Sequence, residues 1–293
     1  MKLGIISLDR DNIVNDLIKS CNKFEVDYRV INPKNIVAGF NLNFNLKYYR
    51  TLLNTFDVFF VRNLGWDSFF RFDVLKYLNK YVPVINPPNS IDIASNKFLT
   101  SMYLELKNLP QPKTVVTENI TEALHWIETF KDVVIKPIFG CGGEGIIRIK
   151  KDMPIITKIQ MLNEFQKKYK TFYIQEFIEP VGKYYRDIRV FVIDDEVVSA
   201  MYRIGGENWK NNVSQGAKIE KCKITEEIED LALKAKDAIG LFYAGVDLIE
   251  SEEGLKILEV NSTPSWRGLS IVSDINISDK LLEKIIQYIK NKE

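Results

Sequence analysis

The stretch Val134-Ile-Lys-Pro-Ile-Phe-Gly-Cys-Gly-Gly-Glu-Gly-Ile-Ile-Arg-Ile149 decides the fold. Gly140, Gly142 and Gly145 spell G-x-G-x-x-G, the letters of a dinucleotide-binding turn. Such a turn needs a strand before the glycines and a helix after them, with the helix amino terminus facing a pyrophosphate. Here the glycines lead into Ile146-Ile-Arg-Ile149, whose β-branched residues mark a second strand. The order is strand, glycine loop, strand, and a dehydrogenase turn is rejected. A Walker A loop is rejected too, because Gly145 is not followed by Lys and Ser or Thr. A glycine hairpin can still hold phosphate, since backbone N–H groups approach closely where no Cβ intervenes. Protein kinases close such a flap over a triphosphate, but their H-R-D and D-F-G signatures are absent. Four glycines in six residues, with Lys136 upstream, exceed what a plain turn requires.

A second informative stretch is Ala244-Gly-Val-Asp-Leu-Ile-Glu-Ser-Glu-Glu-Gly-Leu-Lys-Ile-Leu-Glu-Val-Asn261. Two alternating apolar runs flank Glu252-Glu253-Gly254. A three-residue hairpin loop ends on a left-handed residue, which Gly254 supplies. That register sets Ser251 opposite Leu255 and, counted back, Asp247 opposite Glu259. Glu259 and Asn261 share a strand face. Unpaired carboxylates facing each other across a sheet repel, and a hard cation would offset that. All-oxygen ligands suit Mg²⁺ or Mn²⁺. The plainer alternative is a solvent-facing hairpin with scattered acids, but the apolar Leu258 and Val260 argue for one buried face.

Between these sites, Phe172-Tyr-Ile-Gln-Glu-Phe-Ile-Glu179 is a strand with a polar exit. It is either a core strand or a backbone hinge for an adenine. Tyr185-Arg-Asp-Ile-Arg-Val-Phe-Val-Ile193 and Val197-Val-Ser-Ala-Met-Tyr-Arg203 form a hairpin around Asp194-Asp195. A three-residue loop there would set Asp187 opposite Arg203 as a cross-strand ion pair, with Arg189 on the face of Asp187. The loop Trp209-Lys-Asn-Asn-Val-Ser-Gln-Gly-Ala217 carries polar groups and a glycine, suited to phosphate or carboxylate, or simply to solvent.

The totals exclude whole classes. Lys+Arg 40 against Asp+Glu 39 leaves a formal charge of +1, so no global field recruits nucleic acid or an acidic membrane. Three scattered cysteines read as free thiols of a reducing cytoplasm. The single histidine, His125, lies on an amphipathic helix and reads as a surface residue, which removes His-rich zinc sites and a Ser-His-Asp triad. No signal peptide and no run of 18 apolar residues is present.

Strands alternating with helices make residues 1–93 a small parallel α/β unit, with Asn86-Pro-Pro-Asn as its boundary. A helix over 94–109 follows, stopped by Pro110-Gln-Pro, and then a strand, a helix over 121–130 and the glycine stretch. After Tyr173 come long alternating runs, a helix over 226–239, two strands and a helix over 278–291. The chain divides into 1–93, a central unit 94–173 with the flap, and a last unit 174–293 with the carboxylates. Asn41–Asn45 reads as a loop.

The order of parts resembles the ATP-grasp superfamily, specifically the RimK-type glutamate ligases. The parts are Lys97 opening a helix, Lys136 before the glycine hairpin, Gln175-Glu-Phe-Ile178, Asp187-Ile-Arg189, Arg203, Gly245-Val-Asp247 and Leu258-Glu-Val-Asn-Ser-Thr-Pro264. The resemblance runs from about residue 86 to the end, after a Rossmann-like preceding domain. It implies an α/β and α+β fold that clamps ATP between two subdomains. Lys97, Lys136 and the flap glycines Gly142 and Gly143 would contact phosphates. Gln175, Glu176, Phe177 and Ile178 would form the adenine hinge, Asp187 and Arg203 would sit by the nucleotide, and Asn212 would approach the metal–phosphate end. Asp247, Glu259 and Asn261 would hold two Mg²⁺ or Mn²⁺, Glu259 bridging, and Arg189 would steady an acyl phosphate.

The implied activity is an ADP-forming carboxylate–amine ligase. It would join L-glutamate to a small-molecule carboxylate, either the deazaflavin cofactor or tetrahydromethanopterin, with no nucleic-acid or membrane partner and with a homo-oligomer allowed. Alternatives are a ligase acting on a carrier protein or a ribosomal protein tail, a kinase-like phosphotransferase and a non-catalytic nucleotide-binding module. Lys210 and Gln215 stand where the family carries arginines, in a loop one residue shorter, which bears on acceptor choice.

Overall fold

The computed structural model describes residues 1–65, 68–140, 142–182, 184–206, 209 and 217–292. The first unit is a parallel sheet of β1 (Lys2–Ser7), β2 (Asp27–Ile31), β6 (Val58–Asn63) and β7 (Val84–Ile85), in the order β2-β1-β6-β7. Helix α1 (Asn12–Lys23) starts where Asp11 accepts a hydrogen bond from the Val14 amide. It buries Ile13, Val14, Leu17, Ile18 and Cys21 at helical spacing. A three-stranded antiparallel sheet of β3 (Ile36–Ala38), β4 (Leu46–Tyr48) and β5 (Thr51–Leu52) is inserted before β6, and residues 41–45 link its first two strands. Its strands are two or three residues long, too short for alternation to announce them. Helix α2 (Phe69–Leu78) joins β6 to β7.

The boundary differs from the expected single helix over 94–109. Pro88 opens α3 (Pro88–Ser95), and α4 (Lys97–Leu106) begins separately. Asn96 separates them by capping α4, accepting from the amides of Phe98 and Leu99 at 3.0 and 3.2 Å. Asn86 just before is fully buried and bridges two distant backbone segments. Its Oδ1 accepts from the amides of Phe242 (2.7 Å) and Tyr243 (3.1 Å). Its Nδ2 donates to the carbonyls of Tyr243 (2.8 Å) and Ser262 (2.6 Å). Every polar position of the amide is satisfied, which is what its burial demands.

The central sheet has the order β10-β9-β11-β8, all antiparallel neighbours. Its strands are β8 (Thr114–Thr117), β9 (Asp132–Lys136), β10 (Ile147–Lys150) and β11 (Phe172–Glu176). Helices α5 (Ile120–Phe130) and α6 (Ile155–Tyr169) share one core with it, through Ile127, Val133, Ile135, Leu162, Phe165 and Phe172. The sequence did not announce α6. Ile155, Ile156 and Ile159 are exposed while Lys158 is buried, donating to Glu128 (2.6 Å) and to the Lys151 carbonyl (2.5 Å), so the apolar stripe is inverted in its first turn. His125 is exposed on α5, as expected.

The last sheet runs β14-β13-β12-β15-β16, from β12 (Tyr185–Ile193), β13 (Glu196–Gly206), β14 (Lys218–Lys221), β15 (Tyr243–Ser251) and β16 (Gly254–Asn261). Helix α7 (Glu226–Ile239) covers one face. The other face shares a core with β1, α1, α8 (Leu269–Val272) and α9 (Ile277–Lys290). Apolar contacts therefore run unbroken from the first unit into the last.

Both long hairpins correct the expected loop length while keeping the expected pairs. Ser251 pairs with Gly254, not Leu255, so the turn holds two residues, Glu252 and Glu253. An irregularity beyond Leu248 then leaves Leu258 as an extra residue, and Asp247 faces Glu259 after all. In the other hairpin Ile193 pairs with Glu196 around a two-residue turn whose Asp194 is left-handed (φ 55°). A second irregularity at Val198 restores Asp187 opposite Arg203. The buried positions of β16 are consequently Ile257 and Val260, and Leu258 turns away from the core the sequence assigned it.

Candidate active site

A cleft of about 910 Å³, including its open mouth, lies between the central and last sheets. Lys136, Gly143, Gln175, Glu176, Phe177, Ile178, Asp187, Arg203, Asp247 and Glu259 all line it. Lys97, Gly142, Arg189 and Asn261 stand outside its lining, and Asn212, Lys210 and Gln215 lie outside the described residues.

One wall is built on β9 and the flap. The strand–glycine–strand order is borne out by β9 and β10. Gly145 is left-handed (φ +72°) and packed at the flap's base, where a Cβ would fall 2.3 Å from the Tyr169 hydroxyl. Gly142 is also left-handed (φ +65°), but a Cβ there would meet nothing within 4 Å. Lys136 ends β9 and donates to Gln175 Oε1 at 2.6 Å. Burial pulls the Lys136 ammonium down to about 8; Glu259 and Asp247 pull it up and Lys97 pulls it further down. Its hydrogen-bond partner at Gln175 is thus a neutral amide. Gln175 itself is buried, its Nε2 donating to Thr114 Oγ1 (3.2 Å) and Tyr173 Oη (3.4 Å), with Ser101 hydrogen-bonded to that Tyr173 hydroxyl (2.7 Å). Gln175, at the start of the segment expected to face the adenine, thus also orients Lys136.

The opposite wall carries the carboxylates, and they are not unpaired. Arg189 grips Asp247 with a two-pronged fork, Nε on Oδ1 and Nη2 on Oδ2, the latter at 2.9 Å. Arg203 joins Asp187 (Nε–Oδ1, 2.6 Å) to Asp247 (Nη2–Oδ2, 3.0 Å). Lys97 reaches Glu259 Oε1 at 3.2 Å and also donates to the Gly140 carbonyl at 3.1 Å, tying the flap to β16. Side-chain cations, not only a bound ion, offset the repulsion expected here. Burial acts upward on Asp247, but Arg189 and Arg203 outweigh it and hold its carboxyl below the usual range. Asp187, where burial exceeds the help of Arg203, is raised to about 6.

Among the described residues no group of three or more His, Cys, Asp and Glu is gathered into a metal cage. Asp247 and Glu259 face each other directly, and Asn261, whose Nδ2 donates to the Gly245 carbonyl (3.3 Å), extends the same edge. Two carboxylates and one amide oxygen at a cleft edge fit a hard divalent cation, and Glu259 keeps a third of its side chain open.

The segment 175–178, expected to face the adenine, begins within β11 and runs past its end. The Glu176 amide donates to the Lys113 carbonyl (2.9 Å), yet the Lys113 amide bonds to the Glu176 carboxylate (2.9 Å), not to the Glu176 carbonyl. The ladder partner of that carbonyl is diverted. Phe177 donates its N–H to the Asp132 carbonyl (2.9 Å). Val134, Ile146, Ile249 and Leu258 supply the apolar lining, and Tyr185, Arg186 and Trp209 border it. The sequence reading missed these. For Leu258 no signal existed, because the bulge that turns it is invisible in alternation.

A strand lysine under a glycine flap, across a cleft from paired carboxylates on a second sheet, defines an ATP-dependent ligase of the ATP-grasp type. Residues 94–285 match the RimK-like ATP-grasp domain, and the chain belongs to that family of ATP-dependent, amide-forming ligases. It is 75% identical to a tetrahydromethanopterin:alpha-L-glutamate ligase of Methanocaldococcus jannaschii, covering 99% of this chain and 100% of that one. It is 37% identical to the alpha-aminoadipate–LysW ligase LysX of Saccharolobus solfataricus, over 82% of this chain and 87% of the relative. Among solved structures, the ATP-grasp ligase PsnB complexed with minimal precursor superposes with a TM-score of 0.75 at 17% identity, over 97% of this chain and 98% of that chain, a likeness of fold. Among the described residues no helix is long and apolar enough to cross a membrane.

Proposed function

We propose that this enzyme joins the amine of L-glutamate to a carboxylate of tetrahydromethanopterin, with ATP converted to ADP and phosphate. The observation that carries the acceptor is the 75% identity, along 99% of the chain, to a ligase named for that reaction. The chemistry is supported by the cleft. A substrate carboxylate oxygen attacks the γ-phosphorus, the bond to the β-phosphate oxygen breaks and ADP leaves. The glutamate amine then attacks the acyl carbon, phosphate departs and the nitrogen loses a proton.

Lys136 and Lys97 serve the phosphates together, beneath the flap whose backbone at Gly142 and Gly143 faces them. The Glu176 carbonyl and the Ile178 N–H frame the adenine edge, with Phe177 as the ring beside it. Asp187 and Arg203 border the nucleotide, and Asn212 contributes at the phosphate end. Asp247, Glu259 and Asn261 are the residues that would hold Mg²⁺ or Mn²⁺. Divalent ions held there would supply charge neutralisation of the phosphates and polarisation of the transferred group. Arg189 engages Asp247 through Nε and Nη2, while its Nη1 lies 3.2 Å from where a Cβ on Gly245 would stand. That third nitrogen is the donor for the acyl phosphate or the tetrahedral oxyanion.

The test is mass spectrometry of tetrahydromethanopterin incubated with enzyme, ATP, Mg²⁺ and L-glutamate. A gain of one glutamyl unit with stoichiometric ADP is expected. A gain on the deazaflavin cofactor alone, or on a carrier protein alone, would reassign the acceptor. AMP in place of ADP would overturn the chemistry.

A further inference from the structure

Arg148 stands on β10, directly after the flap, and nothing above gives it a role. Its guanidinium lies 3.4 Å from the centroid of the Phe177 ring. Its Nε and Nη2 fork onto the Asp132 carboxylate at 2.9 and 2.6 Å, and Nη2 also reaches Glu179 at 3.3 Å. Asp132 in turn accepts, through its backbone carbonyl, the N–H of Phe177 (2.9 Å). The three residues form a closed ring. Arg148 holds Asp132, Asp132 holds the Phe177 backbone, and the Phe177 side chain lies under Arg148. Phe177 lines the cleft and Arg148 does not, so the arginine backs the ring from outside. Tyr185 and Trp209 meet the same ring edge-on, at 5.9 and 6.2 Å between centroids.

We infer that Arg148 is a positioning residue that sets the choice of nucleobase. The inference rests on the hinge assigned in the proposed function. Adenine offers a donor at N6 beside an acceptor at N1. Guanine offers an acceptor at O6 beside a donor at N1. A carbonyl at Glu176 followed by an N–H at Ile178 matches the first pattern and opposes the second, but only while the segment between them is fixed. Phe177 is that segment, and Arg148 fixes both its backbone, through Asp132, and its ring. Lysine could supply the charge but neither the fork nor the flat face.

The measurement is displacement of a fluorescent ATP analogue from the full-length enzyme by ATP and by GTP, with no acceptor substrate required. Wild type should prefer ATP. Arg148→Met and Arg148→Lys should each lose about tenfold in ATP affinity, the scale of a lost cation–π contact and fork. GTP affinity should move by less than about twofold, so the ATP/GTP ratio collapses. In turnover the loss should appear in KM for ATP, with kcat nearly unchanged. Phe177→Leu, which leaves the Arg148–Asp132 pair intact, should reproduce the collapse and guards against a folding defect in the arginine variants. A wild-type preference for ATP that both arginine variants retain overturns the role of Arg148 alone. A wild-type enzyme that binds ATP and GTP equally overturns the hinge, and this inference with it.

Discussion

The two walls of the cleft treat charge in opposite ways. On the flap side the half-buried Lys136 bonds to a neutral amide, and its charged form is disfavoured. On the β15–β16 side Asp247 is gripped by two arginines and Glu259 by Lys97. The first wall is incomplete without an anion. The second is neutralised internally and must exchange a side-chain cation for any ion that binds. Nucleotide affinity should therefore live mainly on the flap side and turnover on the carboxylate side.

The sharpest test of that division is Glu259→Gln. Turnover should fall by about 10³-fold, since an amide cannot carry the charge a divalent ion needs. Because Lys97 pairs with Glu259, the substitution also removes an ion pair worth at most about 1 kcal/mol at this exposure. A thermal melt should show the fold intact. Turnover near wild type at saturating Mg²⁺ would remove Glu259 from the mechanism.

Next is Lys136→Met, which should weaken ATP binding by roughly 2–3 kcal/mol through loss of a charged hydrogen bond, with the ligand-free melting temperature barely changed. Equal ATP affinity in titration calorimetry would break the comparison at its root.

A third test uses pH. In the ligand-free protein Lys136 is charged below about 8 and neutral above it. Phosphates select the charged form, so ATP affinity should be greatest below pH 8 and fall about tenfold per unit above it, a slope absent in Lys136→Met. The stability sign is the reverse. The unfolded chain keeps the usual lysine value, binds more protons between about 8 and 10.5, and this residue's contribution to ligand-free stability rises across that window. A flat ATP profile from pH 7.5 to 9.5 would contradict the burial of the ammonium.

The smallest effect is expected at the flap tip. Gly142→Ala meets no neighbour but places a Cβ at φ +65°, a cost of about 1–2 kcal/mol, and should weaken ATP several-fold. Gly145→Ala, which also strikes Tyr169, should be worse. An inverted order would mean the tip, not the base, shapes the phosphate site.

The sequence revealed the site more fully than the path to it. Asp247 opposite Glu259 and Asp187 opposite Arg203 were both legible, though the loops that set them were counted one residue too long. In each case a tighter turn is cancelled by an extra residue in the returning strand, and alternation cannot register two opposite shifts. The ion pairs of Asp247 were not legible, because nothing in a strand pattern says how far an arginine reaches. What Gln175 does with its side chain was not legible for a related reason. Its position on β11 is visible, but the direction of its amide is set by Lys136 and Thr114, 39 and 61 residues away. Helix α6 was lost to its inverted first turn.

Asn86 gives the molecule a property of inheritance. Its side chain is bonded to the backbone where β15 begins and just after β16 ends, the strands that carry Asp247 and Glu259. Arg62 adds a bond to the Thr263 carbonyl (2.9 Å), and Tyr243 donates to the Val61 carbonyl (3.2 Å). All of these join backbone to side chain across the first and last units, so they depend on where the main chain runs more than on which residues surround it. The leading α/β unit is thus not a cassette that recombination could trade freely between ligases. A chimera would keep its carboxylate edge in place only if the incoming unit carried an asparagine that ended in the same spot.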